Sequence, residues 1–197
     1  MNFVIQPGKK EAPVFILLHG TGGNEESLLD VGKALNPDAT LVGIRGAILE
    51  QGYPRYFRRL EEGVYDIEDL NQRAIELHNF IQELITEYEF DKSKIVLVGY
   101  SNGANIGIKL LLDYFDMYQK GILFHPMYPV EINEKQDLSQ TNLFMTMGKM
   151  DPIVSVQDSE YVLELFKERQ ATVDMIWTQG HQLTYEEVLQ GKEWLEK

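Results

Sequence analysis

The sequence contains no cysteine. That absence excludes a disulfide scaffold, a thiolate-ligated zinc or iron–sulfur centre, and a cysteine nucleophile. Basic residues are also scarce: 18 Lys+Arg stand against 31 Asp+Glu, a formal charge of −13. This balance argues against nucleic acid as a partner, because binding phosphates needs a concentrated basic surface. Long apolar runs are missing as well. Runs such as Val14–Leu18 and Ile95–Val98 fall far short of the roughly 20 residues that span a bilayer. The first residues, Met1 to Gly8, lack a basic stretch followed by an apolar core, so no export signal is read there. The expectation is a cytoplasmic protein with no membrane span. A chain of 197 residues can bury roughly 70 % of its unfolded surface, so one domain over residues 1–197 needs no covalent or metal staple.

What the chain does contain is an alternation of short apolar runs and longer amphipathic stretches. Val14–Leu18, Thr40–Ile44, Lys94–Val98, Gly121–Phe124, Leu143–Met145 and Val173–Trp177 read as buried strands. Between them lie helical periods. Asn24 is placed to cap a helix carrying Leu28, Leu29, Val31 and Leu35, and Asp66 to cap one running from Ile67 to Tyr88. Ser159–Arg169 has helical spacing, and Thr184-Tyr185-Glu186-Glu187 opens the last helix with a capping box. Apolar strands separated by helices imply a mostly parallel, doubly wound α/β sheet of about six or seven strands. Phe3–Gln6 is expected to pair antiparallel with the Val14 strand.

The chemistry concentrates in Gly99-Tyr100-Ser101-Asn102-Gly103, a G-x-S-x-G between a strand and a helix. There the serine sits on a sharp turn, and small neighbours relieve crowding. Serine needs a base. Of the four histidines, His78 falls within a helix period, His19 comes early in the chain, and His125 ends a strand as a possible site neighbour. His181 follows the last strand, where the order Ser…Asp/Glu…His puts the base. Asp151, after the Leu143 strand, is the candidate carboxylate, with Asp158 and Glu160 as alternatives a turn later. Backbone amides of Thr21 and Asn102 are the candidate oxyanion donors. No phosphate-loop pattern G-x-x-x-x-G-K-[ST] or dinucleotide pattern G-x-G-x-x-G occurs.

Four ordered segments carry a resemblance: His19-Gly20-Thr21-Gly22-Gly23, Gly99–Gly103, Gly148-Lys149-Met150-Asp151-Pro152-Ile153 and Gly180-His181-Gln182-Leu183. Together they resemble the small α/β-hydrolases of the phospholipase/carboxylesterase family, which includes acyl-protein thioesterases and is related to dienelactone hydrolases. The resemblance spans almost the whole chain. It implies an α/β-hydrolase fold with no large lid domain, a Ser101–His181–Asp151 triad, esterase or thioesterase activity, no cofactor and no metal. Dimers occur in that family, so a homodimer is an expectation. Its elbows often read G-F-S-Q-G, whereas Tyr100 and Asn102 flank the serine here. Dienelactone hydrolases usually carry cysteine as nucleophile, which this chain lacks.

The partner implied is a small-molecule ester with a small or medium acyl group. A thioester or lysophospholipid in a longer acyl channel is the first alternative, and a non-catalytic small-molecule receptor the second. Four of the six arginines, Arg45, Arg55, Arg58 and Arg59, follow the Thr40 strand. Arg58 and Arg59 are candidate contacts for an anionic substrate. Tyr53, Tyr56 and Phe57 are candidate pocket walls, and His19 is a further candidate contact. The bland reading is that the arginines pair with Glu50, Glu61, Glu62 and Asp66 to pin a loop. Arg45–Glu62, the one long non-periodic segment, is the candidate mobile wall or lid.

Overall fold

The computed structural model describes all 197 residues. In chain order the elements are β1 (Phe3–Gln6), β2 (Val14–Leu18), α1 (Leu29–Leu35), β3 (Thr40–Ile44), β4 (Ile48–Glu50), β5 (Tyr53–Arg55), β6 (Arg59–Glu61), β7 (Val64–Tyr65) and α2 (Ile67–Glu87). After a 3-10 turn at Lys92–Lys94 come β8 (Ile95–Tyr100), α3 (Asn102–Asp113), β9 (Lys120–Phe124), β10 (Asn142–Gly148), α4 (Val156–Lys167), β11 (Thr172–Thr178) and α5 (Tyr185–Leu195). Seven strands form one sheet in the order β1-β3-β2-β8-β9-β10-β11. All are parallel except β1.

Alternation along β2 shows why its run is uninterrupted. Val14, Ile16 and Leu18 enter the larger core, while Phe15 and Leu17 enter a second core on the other face. The larger core takes apolar residues of α2, α3 and α4, and the second takes those of α1 and α5. The sheet is therefore covered on both sides, as the sequence predicts. No helix is long and apolar enough to cross a membrane.

Two local expectations are corrected. β1 pairs antiparallel with β3, Phe3 opposite Ile44 and Gln6 opposite Leu41, and not with the Val14 strand. A hairpin to β2 would occupy the edge that β3 takes in parallel register. Asn24 caps no helix. Its side chain accepts from the Glu26 amide and the Ser27 hydroxyl, closing a turn, and α1 begins only at Leu29. By contrast, the Asp66 carboxylate accepts from the Asp69 amide, and Thr184 forms its capping box with Glu187.

The segment between β3 and α2 is two small hairpins, β4–β5 and β6–β7. The first turns through Gln51 and Gly52, both at positive φ, which suits a two-residue hairpin loop. Between the hairpins the chain dips into the core. Phe57 is fully buried, and the buried Tyr56 hydroxyl donates to the Ile44 carbonyl at 2.6 Å and accepts from the His19 amide at 3.1 Å. The Arg58 amide donates to Asp69 Oδ2 at 2.7 Å. The expected mobile wall is thus seated on the core at its midpoint. Tyr56 and Phe57 are core residues, which their position in a non-periodic stretch could not reveal. Phe57→Ala should cost about 3–5 kcal/mol of stability in urea unfolding. Tyr53→Ala, at the exposed hairpin tip, should cost no more than about 0.5 kcal/mol. Equal effects would contradict this assignment.

Candidate active site

In the sheet, the connection after β2 leads to β3 on one side, while β8 leads to β9 on the other. A crevice opens at such a point beyond the carboxyl ends of the strands. The loop after β2 carries Thr21, and the turn after β8 carries Ser101.

Ser101 has φ +50 and ψ −117, left-handed for a non-glycine residue. The turn is held because the Ser101 amide donates to the Phe124 carbonyl at 2.9 Å. It also needs Gly103: a Cβ there would lie 2.0 Å from the Leu18 carbonyl oxygen. The side chain thereby reaches His181, whose Nε2 lies 2.9 Å from Ser101 Oγ. His181 Nδ1 is 2.6 Å from Asp151 Oδ2. The other Asp151 oxygen accepts from the amides of Ile153 at 2.8 Å and Val154 at 2.9 Å. Asp151 and His181 approach because Gly148 lets its loop close on Gly180; a Cβ there would lie 2.5 Å from the Gly180 carbonyl oxygen. The Tyr100 hydroxyl donates to the His181 carbonyl at 3.1 Å, fixing the histidine's backbone.

The Thr21 amide has no acceptor within the protein. Asn102 is the first residue of α3, where an amide has no intrahelical partner. The Asn102 side chain is buried and accepts from the Tyr56 amide at 2.8 Å. Asp158 sits in the capping box of α4 with Ser155, which leaves Asp151 as the carboxylate at the histidine.

A chamber of about 290 Å³ opens over Ser101 and His181. Its walls include Thr21, Arg55, Arg59, Tyr65, Asn105 and Met127. Among the other expected contacts, Arg59 lines it and Arg58 does not. Arg58 is exposed and pairs with Asp66 at 3.1 Å and Asp69 at 3.6 Å, pinning the loop. Tyr53 lies over Gly22 outside the chamber. His19 is buried beneath the loop: its Nδ1 is 2.6 Å from the Gly20 carbonyl, and its Nε2 accepts from the Gly46 amide at 3.0 Å. Burial lowers its pKa, which suits this neutral, loop-clamping tautomer. A second, larger groove of about 550 Å³ lies against α1 and α5, lined by Leu28, Val31, Ala34, Leu183 and Val188. Thr21 and Tyr100 line both spaces.

Two participants escape the sequence reading, and Arg55 enters it only as a member of the arginine cluster. Arg55 is buried and donates from Nη1 to Thr21 Oγ1 at 2.9 Å. Asn105 Oδ1 accepts from the Met127 amide at 2.8 Å and shapes the chamber wall. Glu187 reads only as a capping residue, yet its Oε1 lies 2.7 Å from His125 Nε2, with both side chains buried. His125 Nδ1 in turn lies 3.8 Å from Asp151 Oδ2. No spacing signal links Glu187 to His125, because they come from α5 and the end of β9. His125, Asp151 and His181 offer ligand atoms within 4.8 Å of one another. A metal there would have to break the 2.6 Å contact between His181 and Asp151.

Burial pushes the Glu187 carboxyl up, but the His125 contact and the Thr146 and Thr184 hydroxyls outweigh it and hold the group below the usual carboxylate range. The lowered pKa contributes stability that is present above the unfolded carboxylate pKa and lost as pH falls through the folded one. Glu187→Gln should therefore lower stability at neutral pH by about 1–3 kcal/mol. The gap to the wild type should narrow on acidification. Denaturant melts across the acid range check this, and a constant gap would contradict it.

The whole chain, residues 1–197, matches the phospholipase/carboxylesterase family. It is 43 % identical over 195 residues to MhqD of Bacillus subtilis (strain 168), a protein assigned to the hydrolases, covering 98 % of this chain and 97 % of that one. Among solved structures it superposes on the Bacillus cereus carboxylesterase with a TM-score of 0.96 at 43 % identity, covering 100 % and 93 % of the two chains. It also superposes on YahD, solved with malic acid, with a TM-score of 0.95 at 30 % identity, covering 99 % and 98 %. With its seven-stranded sheet and full-length match, the chain belongs to the phospholipase/carboxylesterase family of α/β-hydrolases and is an ester hydrolase.

Proposed function

We propose that the protein is a serine carboxylesterase of one catalytic domain, acting on esters of small acyl groups. The observation that carries this reading is the unbroken run from Asp151 through His181 to Ser101, at 2.6 and 2.9 Å. Ser101 Oγ attacks the ester carbonyl carbon while His181 Nε2 takes its proton. The Thr21 and Asn102 amides donate to the oxyanion that develops. Collapse breaks the bond to the alcohol oxygen, which leaves with the proton from His181. Water then gives a proton to His181 and attacks the acyl-enzyme. The Ser101 oxygen departs, recovers the proton, and the acid is released. Asp151 remains ionised throughout and steadies the imidazolium. Every step is served by side chains and amides of the chain, so no cofactor enters.

Acyl size is read from the chamber. A space of about 290 Å³ walled by two arginines, Thr21 and Asn105 suits a short polar acyl group better than a fatty one. One observation favours a longer acyl chain: the apolar groove against α1 and α5 adjoins the chamber at Thr21 and Tyr100. A chain-length series of acyl esters and thioesters separates the readings. Activity should peak at short chains; a rise toward long chains that Val31→Trp abolishes would favour the second.

Ser101→Ala should lower kcat by about four orders of magnitude or more while leaving the unfolding midpoint near the wild type. A fluorophosphonate probe should label the wild type at Ser101 and leave Ser101→Ala unlabelled. Retained turnover in the variant, or no labelling of the wild type, would overturn the serine mechanism. The latter outcome would favour a non-catalytic binding role.

A further inference from the structure

The serine chamber carries positive charge that the ester mechanism leaves unused. Arg55 is 5 % exposed, and its Nη1 is engaged by Thr21 Oγ1 at 2.9 Å and lies 3.6 Å from Glu50. No protein group accepts from its Nη2. Arg59 donates from Nε to Glu50 at 3.0 Å, and neither of its terminal nitrogens has an acceptor. One carboxylate thus serves two guanidiniums on the chamber wall and leaves terminal N–H donors of both without an acceptor. Glu62, exposed to solvent, also lines the chamber but pairs with neither arginine. Burial, together with the charge of Arg59, lowers the Arg55 pKa against the opposing effect of Glu50.

We propose that Arg55 and Arg59 form a carboxylate subsite, so that the enzyme selects half-esters of short dicarboxylic acids. This rests on the serine esterase reading above. A guanidinium presents a planar fork of donors that matches a carboxylate. Arg55 offers Nη2 and Arg59 both terminal nitrogens. Thr21 sets the distance between subsite and reaction centre. Its Oγ1 accepts from Arg55 and its amide is the oxyanion donor, so the guanidinium that takes the free carboxylate is anchored to the residue that takes the ester carbonyl. A charged acyl chain bridges the two. An uncharged chain of equal length leaves the guanidiniums unsatisfied and has to displace their water. Arg58, turned outward onto Asp66 and Asp69, takes no part.

The test compares monoethyl succinate with ethyl pentanoate, a neutral chain of similar length, by titrating the acid released. The wild type should favour the half-ester by about tenfold or more in kcat/KM, the range for hydrogen bonds to a charged group. Added salt should erode that preference. Arg59→Gln should reduce the ratio by about tenfold, as should Arg55→Lys, which loses the fork. Arg58→Gln should keep it. Because both esters are measured on the same protein, partial misfolding of a variant cancels from the ratio. Calorimetric binding of the two esters to Ser101→Ala gives the same comparison without turnover. A wild-type ratio near one, or a ratio that survives both Arg55→Lys and Arg59→Gln, overturns the subsite even where fluorophosphonate labels Ser101. Loss of labelling with a tenfold binding preference would overturn the serine reading and leave the subsite standing.

Discussion

Everything at the carboxyl edge of the sheet depends on the backbone of Ser101 being held at φ +50. Such a conformation costs on the order of 1–3 kcal/mol and persists only when its surroundings over-determine it. Here they do. The Ser101 amide is tied to Phe124, Asn105 closes the first turn of α3 onto the Ser101 carbonyl, and Gly103 lies against the Leu18 carbonyl. Neighbouring strands on both sides of β8 therefore take part in one turn. His125, the residue after Phe124, is also left-handed at φ +51, and its amide is tied to Thr146 of β10. Two strained residues at adjacent strand ends direct their side chains toward the same buried carboxylate, Asp151, one through His181 and the other directly.

That convergence explains the long reach of the polar network. Glu187, His125, Asp151, His181 and Ser101 form a chain of contacts crossing β8, β9, the loop after β10, the loop after β11 and α5. The Asp151 side chain is fully buried, where a carboxylate without partners is costly. Two backbone amides and His181 supply its partners. Glu187 anchors the start of α5, which follows the His181 loop directly, so the helix and the histidine are positioned together. The polar groups that would weaken an apolar core are gathered where the strands end, with the His181–Asp151 pair hydrogen-bonded and His125 held between two carboxylates.

The sequence reveals whatever is local or strictly ordered. Strands buried on both faces appear as unbroken apolar runs. The elbow appears because its turn demands small residues at fixed offsets, and the order of Ser101, Asp151 and His181 follows the order of the strands. What is not legible depends on contacts between distant segments. The partner of β1 is decided by which edge β3 leaves open, which four residues cannot express. Asn24 carries the chemistry of a helix cap and uses it in a turn. Between β3 and α2, Tyr56 and Phe57 look like neighbours of the site, but the hairpins on either side drive them inward. The same geometry exchanges the arginines. Arg58 follows the buried Phe57 and is turned out to α2, whereas Arg55 and Arg59 fall on the chamber side.

The catalytic apparatus and the features that discriminate substrates therefore come from different parts of the chain. The sheet, the elbow and the loops after β10 and β11 supply the reacting groups, and these would serve any ester. Charge and shape are set by the segment between β3 and α2 and by the faces of α1 and α5. The first gives a small chamber with two guanidiniums on its wall. The second gives an apolar groove beyond Thr21 and Tyr100. A fold shared across a family cannot name a substrate, but these walls divide the choice. On the proposed reading, an acyl group held against Arg55 and Arg59 is short and polar, and an apolar portion of the same molecule passes Thr21 to reach the groove. In the proposed mechanism the Thr21 amide faces the developing oxyanion, so that passage runs past the proposed reaction centre. Selection by the walls then acts on how the ester carbonyl is presented to Ser101, and so on the rate of attack as well as on binding.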